Sequence, residues 1–125
     1  MQLSDELRQS VIRSLPELDL IGNTALRNQI VDAWAYSLGN SSFSSIDEIR
    51  PSGNPDTPTL KAGTQTDHIR GVTQLTIALA DALVSQFSEL PIDRDMLLAC
   101  ALCHDVGKPF EFDPCNNTFL KSDTH

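Results

Sequence analysis

Leu97-Leu98-Ala99-Cys100-Ala101-Leu102-Cys103-His104-Asp105-Val106-Gly107-Lys108-Pro109 is the stretch around which the rest of the chain is organised. An Ala- and Leu-rich segment of helical character runs into an adjacent His-Asp pair and then stops. Gly107 is expected in the left-handed conformation that commonly closes a helix, with Pro109 preventing the helix from resuming. Two side chains able to ligate a metal are thus left at the mouth of a buried helix. A helix end of purely structural purpose has little use for them there.

The 125 residues around this stretch are enough for one domain with one core, and 40% apolar and 21% charged residues are ordinary for a soluble globular chain. A net charge of -8 with no basic run argues against a nucleic-acid polymer as partner, because phosphate backbones are bound by clustered Lys and Arg. A phosphorylated small molecule remains compatible with an acidic chain if a metal or local cations neutralise it. No apolar run is long enough for a bilayer; the longest candidate, residues 77–84, is interrupted by Asp81. Met1-Gln2-Leu3-Ser4-Asp5-Glu6 lacks a basic region followed by an apolar core, and three cysteines are an odd count. The expectation is a cytoplasmic protein with no membrane association and no disulfide scaffold.

Upstream, Leu3, Leu7, Val11 and Leu15 recur every four residues behind Ser4, a good N-cap, and Pro16 ends that helix. A second helix begins near Asn23, carries Leu26, Ile30, Ala33, Trp34 and Leu38 on one face, and closes at Gly39. Trp34 reads as core and Tyr36 as surface. Residues 40–45 form a loop, with one helical turn to follow at 46–49. From 50 to 66 the chain is rich in Pro, Gly and Thr without period, which makes it a connection or an active-site flap and the best boundary in the sequence. Thr66 or Asp67 is expected to cap the next helix, which runs to about Ser88 and buries Val72, Leu75, Leu79, Leu83 and Phe87. His68 lies four residues before Val72 and seven before Leu75, on that inward face. Gly71 is expected to leave the nearby backbone unobstructed. Pro91 breaks the chain and Asp93 caps the organising helix. Residues 110–114 are expected to be extended.

His104 and Asp105 leave a helix about 100° apart, so one metal can meet both only in the angle between them. A third ligand must come from another element, and His68 is the natural supplier. Two imidazoles and a carboxylate suit a divalent transition metal with positions open for water or substrate. The string Cys100-Ala101-Leu102-Cys103-His104 also matches the c-type haem attachment pattern, but no export signal is seen and no Met follows His104 as an axial ligand. The two cysteines read instead as small buried apolar residues.

His68 followed by His104-Asp105 in His-Asp-Val-Gly-Lys resembles the HD-domain superfamily of metal-dependent phosphohydrolases, over residues 66–114. The resemblance implies an all-α, HD-domain-like helical bundle. Residues 1–49 would be an N-terminal helical extension, 50–65 a Pro- and Gly-rich connection, and 66–125 the HD-like core. It implies His68, His104 and Asp105 as metal ligands for Mn, Mg, Fe, Ni or Zn. It further implies hydrolysis of a phosphomonoester or phosphodiester, often a nucleotide. Asp105, through the metal it holds, and Lys108, beside substrate phosphate or an acidic neighbour, would be the catalytic residues. The family adds a final Asp from a later helix. Neither Asp113 nor Asp123 sits in such a helix, and His125 stands where it would begin, so the expected core is one cut short after the His-Asp helix. Two other outcomes follow from the same scaffold: a catalytically silent ligand-binding or regulatory module, and a di-iron oxygenase.

Overall fold

The computed structural model of the chain describes residues 3–51, 63–113 and 118–119. Four helices account for most of them: α1 (Asp5–Ser14), α2 (Thr24–Gly39), α3 (Gln65–Gln86) and α4 (Arg94–Cys103). The fold is all-α, as the resemblance implies. Among the described residues an antiparallel ladder pairs β1 (Phe112–Asp113) with β2 (Thr118–Phe119), with Phe112 opposite Phe119.

Each helix starts where a short polar side chain can take up a free backbone N–H. Ser4 Oγ accepts from Leu7 N, Asn23 Oδ1 from Leu26 N and Asp93 Oδ1 from Met96 N. Pro16 stops α1 and opens a 3-10 turn, Pro16–Leu20. The cap of α3 differs from expectation. It is Thr64, not Thr66 or Asp67, because Thr64 and Asp67 form a reciprocal capping box: Thr64 Oγ1 takes the Asp67 N–H and Asp67 Oδ2 takes the Thr64 N–H at 2.8 Å. The chain enters that cap through Gly63 at φ 83°, where an added Cβ would stand 2.9 Å from Asp67 Oδ2. This is a position that requires glycine.

One apolar cluster joins all four helices. Val11, Leu15, Trp34, Ile46, Ile69, Leu98 and Leu102 are all but sealed from solvent within it. Trp34 lies at 0% exposure and its Nε1–H donates to the Leu102 carbonyl at 2.8 Å, so the polar edge of the ring is satisfied as the rest is buried. Tyr36 is exposed, as read. Residues before and after the Pro-rich connection therefore share a core. The backbone reinforces this where Gln65 N donates to Ile49 O at 2.8 Å, beside the 3-10 turn Ile46–Glu48.

The buried face of α3 is not the expected one. Leu75, Leu79 and Phe87 are 73%, 63% and 59% exposed, and the inward residues are Gln65, Thr66, Ile69, Thr73 and Ala80. Both sets recur at helical spacing, and the packing of α3 on α4 selects the second. Thr73 is accommodated because its hydroxyl donates to the Ile69 carbonyl at 2.8 Å. Leu79 and Leu83 line a groove of about 510 Å³ with Leu90, Pro91 and Ile92. Gly71 is exposed with open space around it, so no close approach requires glycine there.

Two expectations at α4 also change. Gly107 is right-handed, at φ -82° and ψ -10°, and introduces a 3-10 turn, Lys108–Phe110, that contains Pro109. The helix ends instead in a series of tight turns from His104 onward, so Phe110 is not extended. Cys100 is exposed and Cys103 half-buried, so only Cys103 packs against the core. Among the described residues no helix is long and apolar enough to cross a membrane. The proposed flap, apart from its two ends, lies outside the described residues, as do Asp123 and His125.

Candidate metal centre

The first turn of α3 and the turn after α4 meet at one point. The capping box fixes Gln65 as the first residue of α3 and sets His68 one turn later. The far side is fixed by α2, whose Trp34 holds the Leu102 carbonyl and whose Ser37 hydroxyl donates to the Val106 carbonyl at 2.6 Å. Val106 N–H returns to the Cys103 carbonyl at 3.0 Å, and Lys108 N–H to that of Asp105 at 2.9 Å. His104 and Asp105 therefore sit on a backbone held from both directions.

Three donor atoms converge there. His68 Nε2 stands 3.1 Å from His104 Nε2 and 3.2 Å from Asp105 Oδ2, and the third side, His104 Nε2 to Asp105 Oδ2, is 3.4 Å. With metal–ligand bonds of about 2.1 Å, donors on one ion lie about 3.0 Å apart at a right angle and about 3.4 Å apart at the tetrahedral angle. The triangle has the dimensions of one face of a coordination shell. Both imidazoles are about one-third exposed, while the carboxylate lies beneath them at 14%. The open side faces solvent, where substrate and water can approach.

The surrounding contacts orient this triangle. His104 Nδ1 lies 2.7 Å from the Ala101 carbonyl, an acceptor only, so Nδ1 carries the proton and Nε2 presents its lone pair to the centre. Gln65 Nε2 donates to Asp105 Oδ2 at 2.8 Å from beneath. These residues fit a divalent cation: two imidazole nitrogens and one carboxylate, with outer hydrogen bonds that orient His104 and Asp105.

Residues 66–124 match the family model described as HD domain. That match, over just under half of the chain, supports assigning this segment to the HD-domain superfamily. HD domains bind divalent metals, and the family is one of metal-dependent phosphohydrolases. No curated protein and no solved structure matches the chain.

His68 reaches the centre of this HD domain by a route the periodicity misjudged. It sits at the edge of the true buried face, one turn beyond Gln65 and next to Ile69, rather than in line with Leu75. Lys108 meets the acidic neighbour: its ammonium lies 2.9 Å from Glu111 Oε2, with both side chains largely buried. Glu111 is three residues from Lys108, a spacing that brings the two side chains together. Asp67 serves the helix cap. Gln65 was not foreseen as part of the site. Its signal was the capping box, which makes it the first helical residue, three before His68 and so on a neighbouring face.

Proposed function

We propose that this HD domain hydrolyses a phosphate ester of a small molecule, with a nucleotide as the first class to examine. His68, His104 and Asp105 would hold one divalent ion, with Mn, Mg, Fe, Ni and Zn all compatible with the donor set. The observation that carries this reading is the triangle of 3.1, 3.2 and 3.4 Å between three donor atoms, one from the first turn of α3 and two from the turn that follows α4. A bound divalent ion lowers the pKa of water and polarises a phosphoryl oxygen.

The chain's own contribution is orientation. The Ala101 carbonyl holds His104 in one tautomer, and the buried side of the site keeps Asp105 directed at both imidazoles. One-third exposure of the two rings leaves an approach for an anionic substrate despite the overall charge of -8. One contact favours a silent ligand-binding module instead: the Lys108 ammonium is engaged by Glu111, which removes a cation from direct use on phosphate.

Elemental analysis of the chain with His104→Ala and Asp105→Ala, beside phosphate release from a panel of monoesters and diesters, separates the readings. Stoichiometric metal lost in both variants, with metal-dependent turnover in the wild type, supports the hydrolase. Metal and ligand binding without turnover supports the silent module. Equal metal content in all three proteins overturns the hydrolase.

A further inference from the structure

Gln65 stands one residue before the HD match and is 0% exposed. Its side chain is not needed to start α3, because Thr64 caps the helix and the Gln65 backbone N–H is satisfied by the Ile49 carbonyl. An aliphatic residue would fill the same volume without polar atoms. The carboxamide instead donates from Nε2 to Asp105 Oδ2 at 2.8 Å, and its Oε1 is buried with no hydrogen-bond partner among the described residues. A buried acceptor left in this way is unfavourable. Exchanging the two ends of the carboxamide does not relieve it, since Oε1 would then oppose the carboxylate.

Covalent geometry sets Oε1 about 2.3 Å from Nε2, and hence within about 5 Å of Asp105 Oδ2. The unused acceptor thus lies close to the triangle. We propose that Gln65 is a positioning residue of the metal centre: its N–H holds Asp105 Oδ2 in the triangle, and its Oε1 accepts a hydrogen bond from water admitted to the site. This rests on the metal-centre reading. His68 Nε2 also approaches Asp105 Oδ2, at 3.2 Å, but a nitrogen that ligates an ion has no proton left for that contact. Gln65 then remains as the donor that keeps this oxygen, rather than its twin, turned toward the two imidazoles.

The test uses the full chain, Mn²⁺ alone as probe, and calorimetry with Mn²⁺ electron paramagnetic resonance as readouts. Gln65→Met keeps length and bulk but removes both polar ends. It is expected to weaken Mn²⁺ binding about 10- to 100-fold and alter the resonance line shape, with helical circular dichroism unchanged. Thr66→Val, at the neighbouring buried residue whose hydroxyl makes no hydrogen bond among the described residues, is expected to bind as wild type. If Gln65→Met fails to fold, Gln65→Asn, one methylene too short to reach Asp105, is expected to show the same loss. Wild-type affinity and line shape in a folded Gln65 variant overturn the proposal while leaving the metal centre intact. A wild-type chain that binds neither Mn²⁺ nor the more tightly held Zn²⁺ overturns the metal-centre reading and the role of Gln65 together.

Discussion

The Nε2 atoms of His68 and His104 face each other across 3.1 Å, and only one of them has a proton to give. His104 uses its Nδ1–H on the Ala101 carbonyl at 2.7 Å, so in the neutral ring its Nε2 is an acceptor. His68 must then donate from Nε2, toward His104 and toward Asp105 Oδ2. A metal ion entering the triangle needs that position as a lone pair, so the His68 proton has to move to Nδ1 or leave. In chelator-treated protein, long-range ¹⁵N–¹H spectra of the neutral rings are expected to show His104 as the Nδ1–H tautomer and His68 as Nε2–H. Adding Zn²⁺ is expected to abolish the His68 Nε2–H signature and leave His104 Nδ1–H in place. A His104 ring protonated at Nε2 before metal addition would contradict the role given to Ala101.

The two apolar stripes of α3 make opposite predictions for stability. Ile69 is 0% exposed within the core, whereas Leu75 is 73% exposed. Ile69→Ala is expected to cost about 2–5 kcal/mol, combining lost burial with a cavity. Leu75→Ser is expected to stay within about 0.5 kcal/mol of wild type, as for other surface changes. Urea unfolding followed by the fluorescence of Trp34, the chain's one tryptophan, measures both. A larger loss for Leu75→Ser would mean that the outward stripe is buried against something in solution.

Much of this arrangement was readable in the chain, and the misreadings have particular causes. Ser4, Asn23 and Asp93 announce their helices because a short polar side chain before an apolar period has few other uses. The phase of α3 was not readable, since Val72-Leu75-Leu79-Leu83 outscores Ile69-Thr73-Ala80 in apolarity and only packing on α4 chooses between them. Gly107 misled because glycine permits the left-handed region without requiring it, while Gly63, where a positive φ and the Asp67 carboxylate do require it, reads in the sequence only as one more breaker of the Pro- and Gly-rich connection. The meeting of His68 with His104 and Asp105 was anticipated from local strings, but Gln65 was not. Its part in the site depends on an approach across forty residues that no local spacing encodes.

Glu17 carries a pH dependence independent of the metal centre. Its burial by itself pushes the carboxyl up, but hydrogen bonds from Arg70 at 2.9 and 3.2 Å and from Gln74 at 3.1 Å, with the Arg70 charge, bring it below its ordinary value. A carboxyl lowered in the folded state contributes stability above its unfolded pKa, and that contribution is lost as pH falls through the folded value. Glu17→Gln is expected to cost roughly 1 kcal/mol at pH 7, with the partial exposure of Arg70 keeping the figure small. The difference between variant and wild type is expected to shrink as pH drops from about 5 to about 3, through the ordinary carboxylate range. Parallel urea titrations of both proteins across that range check it. A constant difference would show that Glu17 acts by packing and not by charge.

Cys100 and Cys103 are three residues apart on α4 yet differ in reactivity for a physical reason. Burial first, and the neighbouring Cys100 second, push the Cys103 thiol up to about 11. At pH 8 such a thiol is ionised in only about one molecule in a thousand, and the thiolate is the species that reacts. Cys100 is exposed. Iodoacetamide at pH 8, followed by peptide mapping that separates Cys115 from the other two, is expected to alkylate Cys100 well before Cys103. Raising the pH toward 10 is expected to speed Cys103 labelling steeply, because its thiolate fraction still grows nearly tenfold per pH unit in that range. Labelling of Cys103 at the rate of Cys100 at pH 8 would mean that the end of α4 opens readily, and with it the backbone that carries His104 and Asp105.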